Sequence, residues 1–133
     1  MSALAALVLA LAMVETPNGV PAQPGPYGET GRWQLRKSVR DDRAHDLRCR
    51  AIRNPTDEHI ATEQVLWIKR NLLFLHIDPN DFNVALAWNA GLSRIALGRG
   101  PIPSYDFARR VVALAEQNRN QHTPVLAGER NQP

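Results

Sequence analysis

The chain opens on an apolar run, Leu4 to Val14, built almost wholly of Ala, Leu and Val with Met13. The run ends on one carboxylate, Glu15, and breaks at Thr16-Pro17-Asn18-Gly19, which predicts a helix over Ser2 to Glu15 stopped by Pro17. Residues Thr16 to Gly31 hold three prolines besides Pro17 and four glycines, the composition of a folded loop and not of a strand. A short helix follows from Trp33 to about Ala44, then a basic, irregular stretch over residues 45 to 55.

Thr56 is a helix N-cap, with Asp57 and Glu58 in the first turn where they complement the helix dipole. Ile60, Gln64, Trp67, Ile68, Leu72 and Leu75 then recur at helical spacing, and Leu66, Leu73 and Phe74 widen that face into a central, buried helix. Asp78-Pro79 marks another start, cap followed by proline, for a helix carrying Phe82, Leu86 and Ala90 and ending at Gly91. Ser93 to Leu97 predicts one more helical turn, and Leu97 to Ile102 is open to an extended reading. Ser104 caps the last helix, whose Phe107, Val111, Leu114 and Ala115 form one stripe. From Gln117 the composition turns to Asn, Gln, Arg and Pro, a polar tail. No strand pair and no internal repeat stands out. The expected fold is all-α with little or no sheet, one domain over residues 1–116 and a flexible tail over 117–133.

Composition adds bounds. At 133 residues a single domain buries most of its apolar surface without staples. A net charge of +3, with Lys37 and Lys69 the only lysines among 16 basic residues, favours polyanionic partners: nucleic acid, an anionic membrane surface or anionic cell-wall polymers. The arginines between Arg36 and Arg53 are diluted by Asp41, Asp42 and Asp46 and have no aromatic interleaving, so nucleic acid is not the expected partner. Cys49 stands alone and excludes an intramolecular disulfide; with His45 nearby it still reads as a structural thiol. His45, His59, His76 and His122 share no ligand spacing, so neither a metal nor another cofactor is expected. Gly98-Arg99-Gly100 is too short for a phosphate loop. Two readings of the first residues stay open. Ala3 to Val14 has the length of a signal-peptide core with Ala10-Leu11-Ala12 as a cleavage site, but no Lys or Arg precedes it; it is equally a core helix, and too short to span a bilayer.

The chemistry centres on Glu15. A carboxyl against an apolar wall has a raised pKa and can act as a general acid near neutrality, whereas an exposed glutamate at a helix end does no chemistry. Three further segments come in order. They are Gly28-Glu29-Thr30-Gly31-Arg32-Trp33-Gln34, then Ala87-Trp88-Asn89-Ala90-Gly91 followed by Arg94-Ile95, then Phe107-Ala108-Arg109-Arg110-Val111.

With Glu15-Thr16, these segments resemble the lysozyme-like lytic transglycosylases, the catalytic domain type of soluble lytic murein transglycosylases and phage tail enzymes. That family shows Glu-Ser at a helix end, Gly-Ala-x-Gly-Leu-Met-Gln, Ala-Tyr-Asn-Ala-Gly, and Tyr-Val-x-Arg-Val opening the closing helix. The resemblance runs from about Leu4 to Glu116. Departures are Thr16 for serine, Glu29 for alanine, Arg32-Trp33 for Leu-Met, Trp88 for tyrosine and Phe107 for tyrosine.

The resemblance implies a lysozyme-like helical domain that cleaves the MurNAc–GlcNAc bond of peptidoglycan with one carboxyl and leaves a 1,6-anhydro product. Glu15 would be acid and then base; Thr16, Gln34, Trp88, Asn89 and Phe107 would meet the substrate. The cleft is expected between the first helix and the loop after Gly91, facing the cell wall in the periplasm or outside the cell. Alternatives are a lysozyme-type hydrolase, with Asp41 or Asp42 as second carboxylate, and an inactive peptidoglycan-binding or structural module. Adjacent acids flanked by Arg40 and Arg43 are equally a solvated helix end.

Overall fold

The computed structural model describes residues 1–20 and 23–121. They fold into six helices: α1 Ala3–Glu15, α2 Lys37–Cys49, α3 Asp57–Phe74, α4 Asp81–Ala90, α5 Leu92–Ala96 and α6 Ile102–Gln121. Among the described residues there is no strand, only an isolated antiparallel bridge between Thr30 and Leu35. The fold is all-α, as the pattern predicts. No helix among the described residues is long and apolar enough to cross a membrane.

α1 is the core element. Ser2 caps it, its Oγ accepting from the Ala5 N–H at 3.0 Å. Ala6, Leu7, Ala10, Leu11 and Ala12 are wholly buried, the condition of a helix that is apolar around most of its circumference. Its main partner is α6, which presents Ala108, Val111 and Ala115; small residues on both helices let the backbones approach closely. α6 also holds α4, and α3 joins α1, α2 and α4.

The closing helix runs past the point where the sequence turns polar. Asn118 falls in register with Val111 and Ala115, is only 4% exposed, and donates from Nδ2 to the Ala6 carbonyl at 3.1 Å. Residues 117–121 are therefore helix and not tail; the rest of the expected tail, from residue 122, lies outside the described residues.

Other boundaries shift for local reasons. α2 begins at Lys37, not Trp33, because Gln34 takes a left-handed φ of 49° that no α-helix contains. It continues to Cys49 and closes as a Schellman motif, Ile52 N–H to the Leu47 carbonyl and Ala51 N–H to the Arg48 carbonyl, both at 3.0 Å. α3 ends the same way at His76 and Ile77. Thr56 caps α3 reciprocally: its Oγ1 accepts from the His59 N–H at 3.1 Å, and His59 Nδ1 accepts from the Thr56 N–H at 3.2 Å. The apolar face of α3 is narrower than the pattern predicts, since Leu73 is exposed and Phe74 is 83% exposed. α4 starts later than Asp78-Pro79, with Asn80 as cap accepting from the Asn83 N–H at 2.8 Å, and ends before Gly91.

One carboxylate lies in the interior. Glu63 on α3 is 4% exposed and meets two guanidinium groups, Arg50 through a hydrogen-bonded ion pair and Arg70 at 3.6 Å. A buried charge persists only when it is paired in this way.

Candidate active site

Glu15 is the last residue of α1, and the chain behind it is held firmly. The Thr16 N–H donates to the Ala12 carbonyl at 2.8 Å. The Thr16 hydroxyl stands 3.0 Å from two carbonyl oxygens, that of Ala12 within α1 and that of Arg32 in the following loop. Its single proton is shared between them. Thr16 is thus buried with its hydroxyl held by backbone; it fixes the helix end and does not line the cleft described below.

The Gly28–Arg36 segment forms a tight turn against that end. Thr30 N–H donates to the Leu35 carbonyl at 3.3 Å, and both the backbone N–H and the side-chain Nε2 of Gln34 donate to the Gly31 carbonyl, at 3.2 and 2.8 Å. Gly31 has φ 76°, and Gln34, without the freedom of a glycine, has φ 49°. Such a left-handed position on a long side chain costs of order 1 kcal/mol and persists only where neighbours determine it. The neighbour is Trp33: its indole N–H donates to the Val8 carbonyl of α1 at 2.8 Å, and the ring is buried. Arg40 of α2 holds the other flank through the Thr30 hydroxyl.

A cleft of about 590 Å³ opens between the end of α1, this turn, and residues 87–93. Glu15, Gln34, Trp88 and Asn89 all line it. Burial pushes the Glu15 carboxyl from the ordinary 4.5 up to about 7, while a hydrogen bond from the Trp88 side chain pulls the other way. The indole N–H is a donor only, so it favours the ionised carboxylate. Trp88, expected to meet the substrate, therefore also holds the acid. Asn89 is oriented from α6: the Ser104 hydroxyl donates to its Oδ1 at 2.7 Å, which leaves the Nδ2 donor of the amide for a ligand. Ser104 is not the cap of α6 but a buried residue in its first turn.

Phe107 does not enter the cleft. It is 9% exposed and belongs to the hydrophobic core beside Ala108 and Val111, because the apolar stripe of α6 points at α1 and α4. Asp41 and Asp42 are also elsewhere. Both are exposed on α2, and Asp41 pairs with Lys37 at 2.7 Å beside a second groove on the far side of the turn. The Lys37 ammonium holds the Asp41 carboxyl below its usual range.

Other residues also line the cleft, among them Arg36, Gln64, Trp67 and Ser93 from outside the motifs and Glu29 from within one. Gln64 and Trp67 sit on the apolar row of α3, and a glutamine in such a row is a visible sign of a wet cavity. The Trp67 ring is backed by the Arg43 guanidinium 4.7 Å from its centroid, with Arg43 Nε 3.3 Å from Asp46. Glu29 departs from the motif it sits in, and a charged residue in place of a small one at a cleft edge is the signal. Among the described residues no group of His, Cys, Asp and Glu is arranged to hold a metal ion.

The arrangement offers one carboxyl that is partly protonated near neutral pH, amide groups from two sides, and two indoles, in an open groove suited to an extended polar ligand. No protein-family model, curated protein or solved structure matches the chain.

Proposed function

We propose that the chain cleaves peptidoglycan glycan strands as a lytic transglycosylase acting on the MurNAc–GlcNAc bond, in a cell-wall-facing compartment. The observation that carries this reading is the Glu15 carboxyl, raised to about 7 by burial in a cleft it shares with Gln34, Trp88 and Asn89. A donor with that pKa is protonated in a large fraction of molecules near neutrality and still acidic enough to give the proton up.

In this mechanism protonated Glu15 donates to the bridging oxygen as the bond from C1 breaks. The substrate's own acetamido group stabilises the positive charge that develops on C1. Glu15, now a carboxylate, takes the proton from the C6 hydroxyl, whose oxygen closes on C1 to give the 1,6-anhydro sugar. The Trp88 indole N–H stabilises the carboxylate stage and so lowers the cost of the first transfer. Asn89 Nδ2 and Gln34 Oε1 are the free ends of amides whose other ends are fixed, suited to substrate acetamido and hydroxyl groups.

Incubation of purified protein with murein, read by mass spectrometry, tests the reading. Anhydro-muropeptides are expected from the wild type and none from Glu15→Gln; intact murein after long incubation rejects it. A second reading, a murein-binding module without turnover, rests on Phe107, which brings no hydroxyl to the cleft where the resembled family has a tyrosine. Its signature is binding without cleavage, insensitive to Glu15→Gln.

A further inference from the structure

We propose that the second groove, on the far side of the turn from Glu15, binds a phosphodiester-linked polyol chain through Arg48 and Arg53. The inference goes beyond the reading of Glu15 and does not depend on it.

The groove has a volume of about 650 Å³ and lies between α2, the start of the Gly28–Arg36 turn and the loop that leads to α3. Four cations line it, Lys37, Arg40, Arg48 and Arg53, against one carboxylate, Asp41. Two of the four are matched. Lys37 pairs with Asp41 at 2.7 Å, and Arg40 reaches Asp57 of α3 at 3.4 Å as well as the Thr30 hydroxyl. Arg48 and Arg53 make no ion pair among the described residues. Asp41 is held chiefly by the Lys37 ammonium, and the field of Arg48 is the weakest influence on it. Two positive charges are left over, one in the last turn of α2 and one in the loop that follows.

That surplus is local and not a general property of the basic stretch. From Arg32 to Arg53 the other guanidinium groups that do not line the groove are engaged. Arg32 lies over the Trp33 ring and Arg36 over Tyr27, while Arg43 meets Asp46 and Arg50 meets Glu63. The two without a partner are two that share the groove. Like charges lining one groove repel each other, and an anion bound there reverses the sign of the interaction.

The geometry of the surplus favours phosphate. Guanidinium groups bind phosphate oxygens through paired, charge-assisted hydrogen bonds. A phosphodiester turns two non-bridging oxygens outward and accepts from donors on both walls of a groove, whereas a carboxylate holds its two oxygens in one plane. Successive diesters carry one charge each, which suits two arginines on separate elements. Asn54 lines the groove beside Arg53, and its side-chain amide has no partner among the described residues; it offers a donor and an acceptor to a hydroxyl.

The remaining lining selects among phosphate polymers. No aromatic side chain of the described residues lines the groove, so a nucleobase has no stacking platform there. Its apolar residues Ala44 and Ile60 are buried, and neither protrudes to enter a lipid layer.

Calorimetric titration of the full chain with a glycerol phosphodiester oligomer at about 0.15 M salt tests the site, since exposed charges far apart are screened there. The oligomer has no glycosidic bond, so binding is read apart from any cleavage by Glu15. Saturable binding is expected. Arg48→Gln and Arg53→Gln should each weaken it about tenfold, the low end for a hydrogen bond to a charged group. Arg110→Gln removes the same charge from α6 outside the groove and should leave binding unchanged. Absence of saturable binding, or equal losses in all three variants, overturns the proposal and assigns any attraction to net charge. A single-stranded oligonucleotide with the same number of phosphates that binds more tightly through Arg48 and Arg53 overturns the choice of a polyol chain. The Glu15 reading stands or falls separately, on the products released from murein.

Discussion

The Ser104 hydroxyl donates to Oδ1 of Asn89 at 2.7 Å, across from α6 to the last turn of α4. The side chain that would meet a substrate is therefore aimed by one that is buried and cannot. Ser104→Ala removes the aim and leaves Asn89 in place. The expected cost in stability is about 1 kcal/mol, typical of one lost hydrogen bond with a part-buried partner. The informative quantity is coupling: Ser104→Ala, Asn89→Ala and the double variant should be non-additive in kcat/KM for murein fragments, because both singles break one arrangement. Additive losses would show that the contact does not position the amide.

Glu15 carries a cost that can be measured without a substrate. Its carboxyl binds a proton more tightly folded than unfolded, since its pKa rises from 4.5 to about 7. The stability associated with that proton is full below pH 4.5 and is lost as pH rises through about 7, a difference on the order of 3 kcal/mol. Glu15→Gln should therefore match the wild type in denaturant unfolding near pH 4.5 and exceed it at pH 8, while abolishing cleavage. Equal stability differences at the two pH values would contradict burial as the cause of the shift.

Trp88→Phe separates the two influences on the acid. Phenylalanine keeps most of the apolar wall and deletes the donor that favours the carboxylate. The alkaline limb of the activity profile should move to higher pH, by up to about one unit. An unmoved limb would assign Trp88 to ring stacking alone.

Gly31→Ala attacks the turn. The backbone there has φ 76°, and an added methyl would stand 3.0 Å from Asp57 Oδ2. A loss of about 1–2 kcal/mol is expected in thermal or urea unfolding. Activity should fall as well, because both hydrogen bonds of Gln34 end on the Gly31 carbonyl.

Ala51→Gly and His76→Gly act in the opposite direction. Both residues take left-handed φ values, 69° and 59°, at Schellman helix ends where glycine is free of strain. Each substitution should stabilise the chain by about 0.5–1 kcal/mol without changing cleavage, as measured by the unfolding midpoint.

The elements legible in the sequence are those with a local cause. Thr56 caps α3 through its own side chain, Gly91 closes α4, and the apolar run of α1 leads directly to Glu15. The misplaced boundaries have distant causes. Trp33 and Gln34 look like the start of a helix until the Val8 carbonyl draws the indole into α1. Asn118 looks like tail until the Ala6 carbonyl accepts from it. The site divides in the same way. Glu15, Gln34, Trp88 and Asn89 line one cleft. Thr16 and Phe107 do not, because the hydroxyl of one is taken by backbone and the ring of the other by the core. Glu29 is visible only as a departure, since its carboxylate folds over Gly25, where a side chain would collide with it.

The bridge made by Thr16 has a consequence for how the molecule fails. Its hydroxyl touches the Ala12 carbonyl of α1 and the Arg32 carbonyl of the turn, so the acid and the segment facing it are stitched at one point. Movement of one away from the other breaks that contact, so the bridge opposes a cleft with Glu15 in place and Gln34 adrift. Losing the Thr16 hydroxyl would therefore loosen the acid and the turn together, and not either one alone.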